Sequence, residues 1–133
     1  MMYLLDTNCC VYFLKDRYPL LTERFLACDP SDLAISSITV FELEYGAEKS
    51  SWGDKTREKL ALFLAPFTIL PFNANDAITA GRIRGILEKK GEPIGPYDTL
   101  IAAQGLSRDL TVITHNTGEF DRVPDLRTED WVI

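Results

Sequence analysis

The chain has 133 residues, of which 46% are hydrophobic and 26% charged, and its formal net charge at pH 7 is −6. This length and composition favour one folded domain over residues 1–133 rather than a disordered chain. The negative charge argues against a protein that holds nucleic acid by bulk positive charge. The negative charge does not exclude an enzyme that acts on nucleic acid through bound cations.

The cysteines and the apolar segments indicate the cellular compartment in which the protein is expected. Cys9, Cys10 and Cys28 are odd in number and lack the spacing of a paired motif, so reduced thiols in a cytoplasmic protein are expected. No apolar stretch approaches the ~20 residues that span a bilayer. The first apolar run breaks at Asp6 and has no basic lead, so we predict no signal peptide.

Four short apolar runs predict buried strands, and each is followed by polar or turn-forming residues. They lie at 3–5, 33–36, 67–70 and 110–113, with a short edge strand expected near Trp131. Helices are expected at 8–15, 20–27, 38–49, 55–65, 76–90 and 96–106, and a polar loop at 114–119. The candidate N-caps are Thr7 or Asn8, Ser37 or Thr39, and Asn73 or Asn75. Alternating strands and helices predict a parallel sheet covered on both faces.

Asp6 follows the first predicted strand directly. In an open α/β sheet, ligands bind at the carboxyl ends of the strands. The segment after the fourth strand reaches the same edge, and its polar candidates are Thr114, Asn116 and Glu119. For any one of these three, a capped turn is an equally good interpretation.

Glu42 and Asp98 are acids on helix faces that the sequence makes apolar. Glu42 shares one face with Ile38, Phe41 and Tyr45, and its alternative interpretation is a snorkelling or salt-bridged acid. Asp98 lies in the first turn of its helix, where an acid also interacts favourably with the helix dipole. An acid in the first turn whose only role is a favourable interaction with the helix dipole would normally face water, whereas Asp98 is on an apolar face.

The four acidic segments should meet at one edge of the parallel sheet. Carboxylates at ~4–6 Å raise one another's pKa, and a divalent cation relieves that repulsion. Oxygen donors without a His or Cys set suit Mg²⁺ or Mn²⁺ better than zinc. His115, the only histidine, is expected to be a surface imidazole.

Four segments together resemble the PIN-domain ribonuclease toxins, specifically the VapC toxins of bacterial VapBC toxin–antitoxin pairs. They are LDTN at 5–8, SSITVFELEYG at 36–46, GPYDTLIA at 95–102, and THN at 114–116 with Glu119-Phe120. Each motif alone is weak. Their order and spacing, down to the closing Asp130-Trp131, extend the resemblance over essentially the whole chain.

The resemblance implies a PIN-like three-layer α/β/α sandwich whose parallel sheet has the strand order 3-2-1-4-5. It also implies an acidic pocket for Mg²⁺, with Asp6 and Asp98 as metal ligands. Glu42 and Glu119 complete the catalytic set. Either Asn116, where many relatives carry Asp, or Glu119 fills the fourth position. The supporting residues are Thr7, Asn8, Thr114 and Asn116.

The implied activity is Mg²⁺-dependent endonucleolytic hydrolysis of RNA, with tRNA or another structured RNA as substrate. The implied protein partners are a second copy of the chain and a VapB-type antitoxin, which together form a higher toxin–antitoxin assembly. A basic side chain of the antitoxin often enters the acid pocket in this family, and the neutralised toxin does not inhibit translation. The candidate RNA-binding cations are Lys15, Arg17, Lys49, Arg82, Arg84, Lys89 and Lys90.

Two alternatives remain from the sequence. A phosphatase of the haloacid dehalogenase type needs an Asp-x-Asp pair, but Asn8 occupies the second position. A non-catalytic PIN-like module that binds RNA or protein would tend to have lost one acid, whereas Asp6, Glu42 and Asp98 are all present.

Overall fold

The structure, a computed structural model, describes residues 2–51 and 53–133. Its strands are Tyr3–Leu5 (β1), Leu33–Ser36 (β2), Thr68–Leu70 (β3), Thr111–Ile113 (β4) and Thr128–Glu129 (β5). Every neighbouring pair is parallel, and the order across the sheet is β3-β2-β1-β4-β5. The strand order implied by the family resemblance is therefore confirmed.

Six helices lie within a few residues of their predicted positions. They are Thr7–Leu14 (α1), Pro19–Ala27 (α2), Ser37–Lys49 (α3), Gly53–Leu64 (α4), Ala74–Lys89 (α5) and Pro96–Ser107 (α6). Within the residues that the structure describes, no helix is long and apolar enough to cross a membrane.

The prediction of a plain loop at 114–119 is wrong, because a short helix, Thr117–Phe120 (α7), forms there. The carbonyl of Asn116 accepts hydrogen bonds from the backbone N–H groups of Glu119 and Phe120. The Phe120 ring is fully buried, which fixes this turn against the core.

Two predicted helix caps are also wrong by one or more residues. Asp6, not Thr7 or Asn8, caps α1, and its Oδ1 accepts from the Cys9 N–H at 2.8 Å. Ser36, not Ser37 or Thr39, caps α3, and its Oγ accepts from the Ile38 N–H at 3.0 Å. Both helices begin with almost no connecting loop, so their first turns lie directly at the carboxyl edge of the sheet.

Two apolar clusters cover opposite faces of the sheet, in line with the alternation of side chains along a strand. Leu4 of β1 packs in one cluster with residues of α5 and α6. Leu5 packs in the other with residues of α1, α2, α3 and α4. Cys9 and Cys10 belong to the second cluster and are fully buried free thiols whose pKa values are raised by burial, as expected for packing residues rather than nucleophiles.

Gly105 lets α6 approach β4 closely. A Cβ atom at this position would lie 2.6 Å from Val112 Cγ2 and 3.3 Å from Leu126 Cδ1. Because Val112 is a stiff β-branched residue and is itself fully buried, it has little room to move. This contact sets the depth at which α6, and therefore Asp98, lies over the sheet.

Candidate active site

Asp6 and Thr114 occupy equivalent places at the carboxyl ends of β1 and β4. These strands pair in register from Tyr3 with Thr111 to Leu5 with Ile113, so the residue after each strand reaches the same edge. Asp6 is only 2% exposed and Thr114 is buried. Asp6 accepts hydrogen bonds from the Cys9 N–H and from the Thr114 hydroxyl.

Burial raises the pKa of Asp6 above its usual value. The hydrogen bonds from Thr114 and Cys9, and the nearby His115, oppose this shift without cancelling it. A buried carboxylate held this way has a fixed orientation and a charge that its surroundings do not fully stabilise.

Thr7, the residue after Asp6, is hydrogen-bonded through its side chain to Glu42 on α3. Its hydroxyl donates to Glu42 Oε1 at 2.7 Å and lies 3.0 Å from the hydroxyl oxygen of Thr39. From the sequence, Thr39 is predicted only as a candidate helix cap. The signal that could have identified it is its spacing, because Thr39 lies three residues before Glu42 and so shares its helix face.

The face of α3 that carries Glu42 is not the apolar inward face that the sequence predicted. Phe41 and Tyr45 are 52% and 58% exposed, whereas the buried residues of α3 are Thr39, Leu43 and Ala47. In α3, apolar residues recur at helical spacing on two neighbouring faces, so the pattern alone does not tell which of the two faces is buried. The face with smaller side chains is the one that becomes buried, because α3 packs with this face against α4, α1 and β2. Glu42 lies half-buried at its border.

Asp98 lies in the first turn of α6, where the charges of the other three acids act on its carboxyl group. Burial raises its pKa, the charges of Asp6, Glu119 and Glu42 raise it further, and the pKa reaches about 6. Asp98 also interacts with Glu119 through a side-chain hydrogen bond. The structure therefore brings together the four acids that the sequence singled out.

Asn116 and Glu119, the two candidates for the fourth position, lie side by side. Asn116 Nδ2 donates to Glu119 Oε2 at 2.6 Å, and the Asn116 N–H donates to Thr114 Oγ1 at 2.9 Å. Glu119 is the one whose charge acts on Asp98. Asn116 thus holds Glu119 in position from the same turn.

Asn8 is the supporting candidate that does not join this group. It is exposed on α1, whereas Thr7 points into the site. His115 is exposed as predicted, and its Nδ1 lies 2.9 Å from Asp130 Oδ2.

The site offers hard oxygen donors and an excess of negative charge. Within residues 2–51 and 53–133, no group of three or more His, Cys, Asp or Glu side chains is arranged to hold a metal ion by itself. Mg²⁺ does not need such a cage, since it usually keeps several waters and binds through one or two carboxylates. The raised pKa of Asp98 fits a place where a cation would relieve repulsion between acids.

Comparison with known proteins agrees with this geometry. A PIN domain model matches residues 3–126. The tRNA(fMet)-specific endonuclease VapC of Salmonella typhimurium is 42% identical over 129 residues, which cover 97% of each chain. Ribonuclease VapC2 of Rickettsia felis is 40% identical over 134 residues, which cover 98% of each chain.

Solved structures give the same result. DNA-bound VapBC from Salmonella typhimurium matches with a TM-score of 0.93 and 41% identity, covering 98% of each chain. VapBC-1 from nontypeable Haemophilus influenzae matches with a TM-score of 0.90 and 36% identity, covering 100% of each chain. The chain therefore belongs to the PIN-domain family and, within it, to the VapC ribonucleases of toxin–antitoxin pairs.

Proposed function

We propose that the protein is a Mg²⁺-dependent endoribonuclease that hydrolyses phosphodiester bonds in RNA and acts as the toxin of a VapBC-type pair. The observation that carries this proposal is the convergence of Asp6, Glu42, Asp98 and Glu119 at one edge of the sheet, where burial and the charges of the other three acids raise the pKa of Asp98 to about 6. The ribonuclease relatives support RNA as the substrate.

Asp6 and Asp98 are the proposed direct ligands of Mg²⁺, with Mn²⁺ as a substitute. When bound, the ion supplies the positive charge that makes a water acidic and stabilises the oxyanion that develops on phosphorus. Asp6 suits this role because the Cys9 N–H and Thr114 hydroxyl fix its carboxylate.

Glu42 and Glu119 are the proposed hydrogen-bond acceptors for the attacking water. Thr7 holds the Glu42 carboxylate, and Asn116 holds that of Glu119. Because each carboxylate is already fixed, little reorganisation is needed when a water is oriented between them.

The proposed substrate is a tRNA, and the initiator tRNA is the first to test, because two relatives are named tRNA(fMet)-specific endonucleases. The cytoplasm is the proposed location, and the three free thiols of Cys9, Cys10 and Cys28 support it.

A VapB-type antitoxin is the proposed protein partner, as in the VapBC complexes of the relatives. A groove of about 430 Å³ between α1, α3 and α4 opens beside Thr7 and Glu42. An apolar antitoxin segment seated there could extend a basic side chain to the acids. Lys15 and Lys59 also line the groove and favour acidic residues on that segment.

A homodimer is the proposed assembly. Phe41 and Tyr97 are 52% and 44% exposed, and their ring centroids lie 5.4 Å apart. Such an exposed aromatic pair is typical of a protein–protein contact. Sedimentation of the purified protein, with and without Phe41→Ser, tests whether this pair lies in the dimer contact.

The decisive experiment incubates the purified protein with initiator tRNA in Mg²⁺ or in EDTA, beside an Asp6→Asn variant. Discrete fragments that need both Mg²⁺ and Asp6 are expected. Intact RNA in every lane, with RNA or antitoxin binding retained, would favour the alternative of a non-catalytic PIN-like module.

A further inference from the structure

Three aromatic rings form a cluster beside the acid pocket, outside the residues assigned so far. Tyr12 lies on α1, Tyr18 immediately precedes α2, and His115 follows Thr114. The Tyr12 and Tyr18 ring centroids are 5.0 Å apart in an edge-to-face arrangement. The His115 ring lies 5.8 Å from Tyr18 and 6.5 Å from Tyr12. We call these three residues the aromatic corner.

Arg17 packs its guanidinium on this corner. Its Cζ atom lies 6.0 Å from the centre of the Tyr12 ring and 5.7 Å from that of Tyr18. The residue is exposed, and within the part of the chain that the structure describes it forms no ion pair with a carboxylate. The arginines that do form such pairs are Arg57, Arg84, Arg108 and Arg127.

The corner lies beside Asp6. His115 directly follows Thr114, which comes directly after β4 and next to the end of β1, and Tyr12 lies on α1, the helix that Asp6 caps. The ring of His115 is in turn fixed by Asp130, whose Oδ2 lies 2.9 Å from Nδ1. Arg17 is therefore held on a rigid surface that adjoins the acid pocket.

We propose that Arg17 binds a phosphate of the RNA backbone next to the phosphate that is cleaved, while the aromatic corner holds its guanidinium in place. This inference rests on the proposed ribonuclease function. The acid pocket and the net charge of −6 repel a polyanion, so RNA needs a local cation at the entrance. A guanidinium without a carboxylate partner offers the paired N–H donors that match a phosphate.

Packing on the rings also reduces the cost of binding. A free arginine side chain loses rotamer freedom when it contacts a ligand, whereas one already held on aromatic faces loses less. Arg17 therefore differs from an ordinary exposed arginine in both orientation and available donors.

The salt dependence of RNA binding tests this proposal. Initiator tRNA is titrated with the Asp6→Asn protein, which prevents cleavage, and with the same protein carrying Arg17→Gln. We expect the Arg17→Gln affinity to be about tenfold lower. We also expect the plot of log affinity against log salt to flatten by about 0.7–0.9, the contribution of one phosphate contact. A purely structural role for Arg17 would leave that slope unchanged.

Two further variants serve as controls. Arg127→Gln makes the same change of charge on an exposed arginine that precedes β5, at the amino-terminal end of the strands and so away from the acid pocket. It should leave affinity within about twofold and the slope intact. Tyr18→Leu keeps apolar volume but removes one ring under Arg17. It should lower affinity about threefold without changing the slope, because the charge remains.

The outcomes separate this inference from the proposed function. If the unmodified protein cleaves tRNA but Arg17→Gln changes neither affinity nor slope, the phosphate contact is overturned. Weaker antitoxin binding in that case would assign Arg17 to the protein partner instead. If the unmodified protein cleaves nothing while the Arg17-dependent slope persists, the phosphate contact stands and the hydrolysis proposal fails.

Discussion

Asp76 and Asp98 occupy the same place in their helices, the third residue of α5 and of α6, yet their surroundings are opposite. Burial alone would raise the pKa of Asp76, which is 1% exposed. Hydrogen bonds from Arg108, Ser107, Asn73 and Gln104 outweigh burial and lower that pKa to about 2. Its charge is therefore neutralised within the protein.

Asp98 receives no such help. Its helix begins after Gly95, which has no side chain to cap it, and every charge that shifts Asp98 belongs to another acid. The same residue type at the same helix position is thus stabilised by hydrogen bonds in one case and, in the proposed site, available to a cation in the other. The difference teaches that the hydrogen-bond donors around a buried acid decide whether burial raises its pKa or is outweighed.

The largest expected effect comes from Asp6→Asn. Asparagine can still accept the Cys9 N–H and cap α1, so the fold should be kept. We expect tRNA cleavage to fall about 10³-fold, or about 4 kcal/mol of transition-state stabilisation. The control Asp109→Asn removes an exposed carboxylate that precedes β4, at the other edge of the sheet, and should retain activity. Less than about a tenfold loss for Asp6→Asn would contradict the assignment.

Asp76→Asn tests the structural member of the comparison. Loss of the carboxylate leaves Arg108, 3.0 Å away, without its ion-pair partner, so urea unfolding at pH 7 should show a loss of about 3 kcal/mol. Because the folded pKa is lowered, this stabilisation is present above about pH 4 and disappears as pH falls towards 2. The two proteins should therefore converge near that pH. Equal stability at pH 7 would refute the comparison.

Gly105→Ala probes α6, which carries Asp98 at its start and Gln104 and Ser107 near Asp76 at its end. The new methyl group would meet Val112 and push the helix away from β4, and we expect unfolding to become about 2 kcal/mol easier. Gly85→Ala on α5 is the matched control.

A Cβ at Gly85 meets nothing within 4 Å, so Gly85→Ala should stabilise the helix by about 0.5–1 kcal/mol. Thermal melts of both variants make the measurement. If Gly105→Ala melts like Gly85→Ala, the close approach of α6 to β4 does not matter for stability.

Asp98→Asn should have the smallest effect, and its sign is opposite to that of Asp76→Asn. The folded pKa of about 6 means that ionised Asp98 weakens the fold at pH 7, so asparagine should stabilise by about 1 kcal/mol after allowance for solvent screening. This advantage shrinks as pH falls below 6 and is gone below about pH 4, where the wild-type group is protonated in both states. Melting temperatures in metal-free buffer across this range make the test. A destabilised Asp98→Asn at pH 7 would refute the prediction.

The sequence predicts that the acids lie close together, because their placement depends only on where the strands end and on the parallel arrangement of those strands. Apolar runs ending in Asp6 and Thr114 mark two strand ends, and parallel strands bring their carboxyl ends to one edge. The strand order itself came from the family resemblance, since alternation of strands and helices does not specify which strands are neighbours.

Finer details depended on contacts that single segments do not contain. Ser36 is both the last residue of β2 and the cap of α3, so neither pattern alone identifies it. The buried face of α3 is the one that packs against α4, α1 and β2, and the hydrophobicity of Phe41 and Tyr45 does not determine it. Arg17 stands out only when the rings of distant residues are seen beneath it.

β1 lies in the middle of the sheet, although it is the first strand of the chain. Its neighbours β2 and β4 come from residues 33–36 and 111–113. During synthesis, Asp6 therefore emerges long before Asp98 and Glu119, and the central strand lacks one side of its sheet until β4 has been made. A cell that makes this nuclease has almost the whole translation time of the chain before the acid pocket first exists.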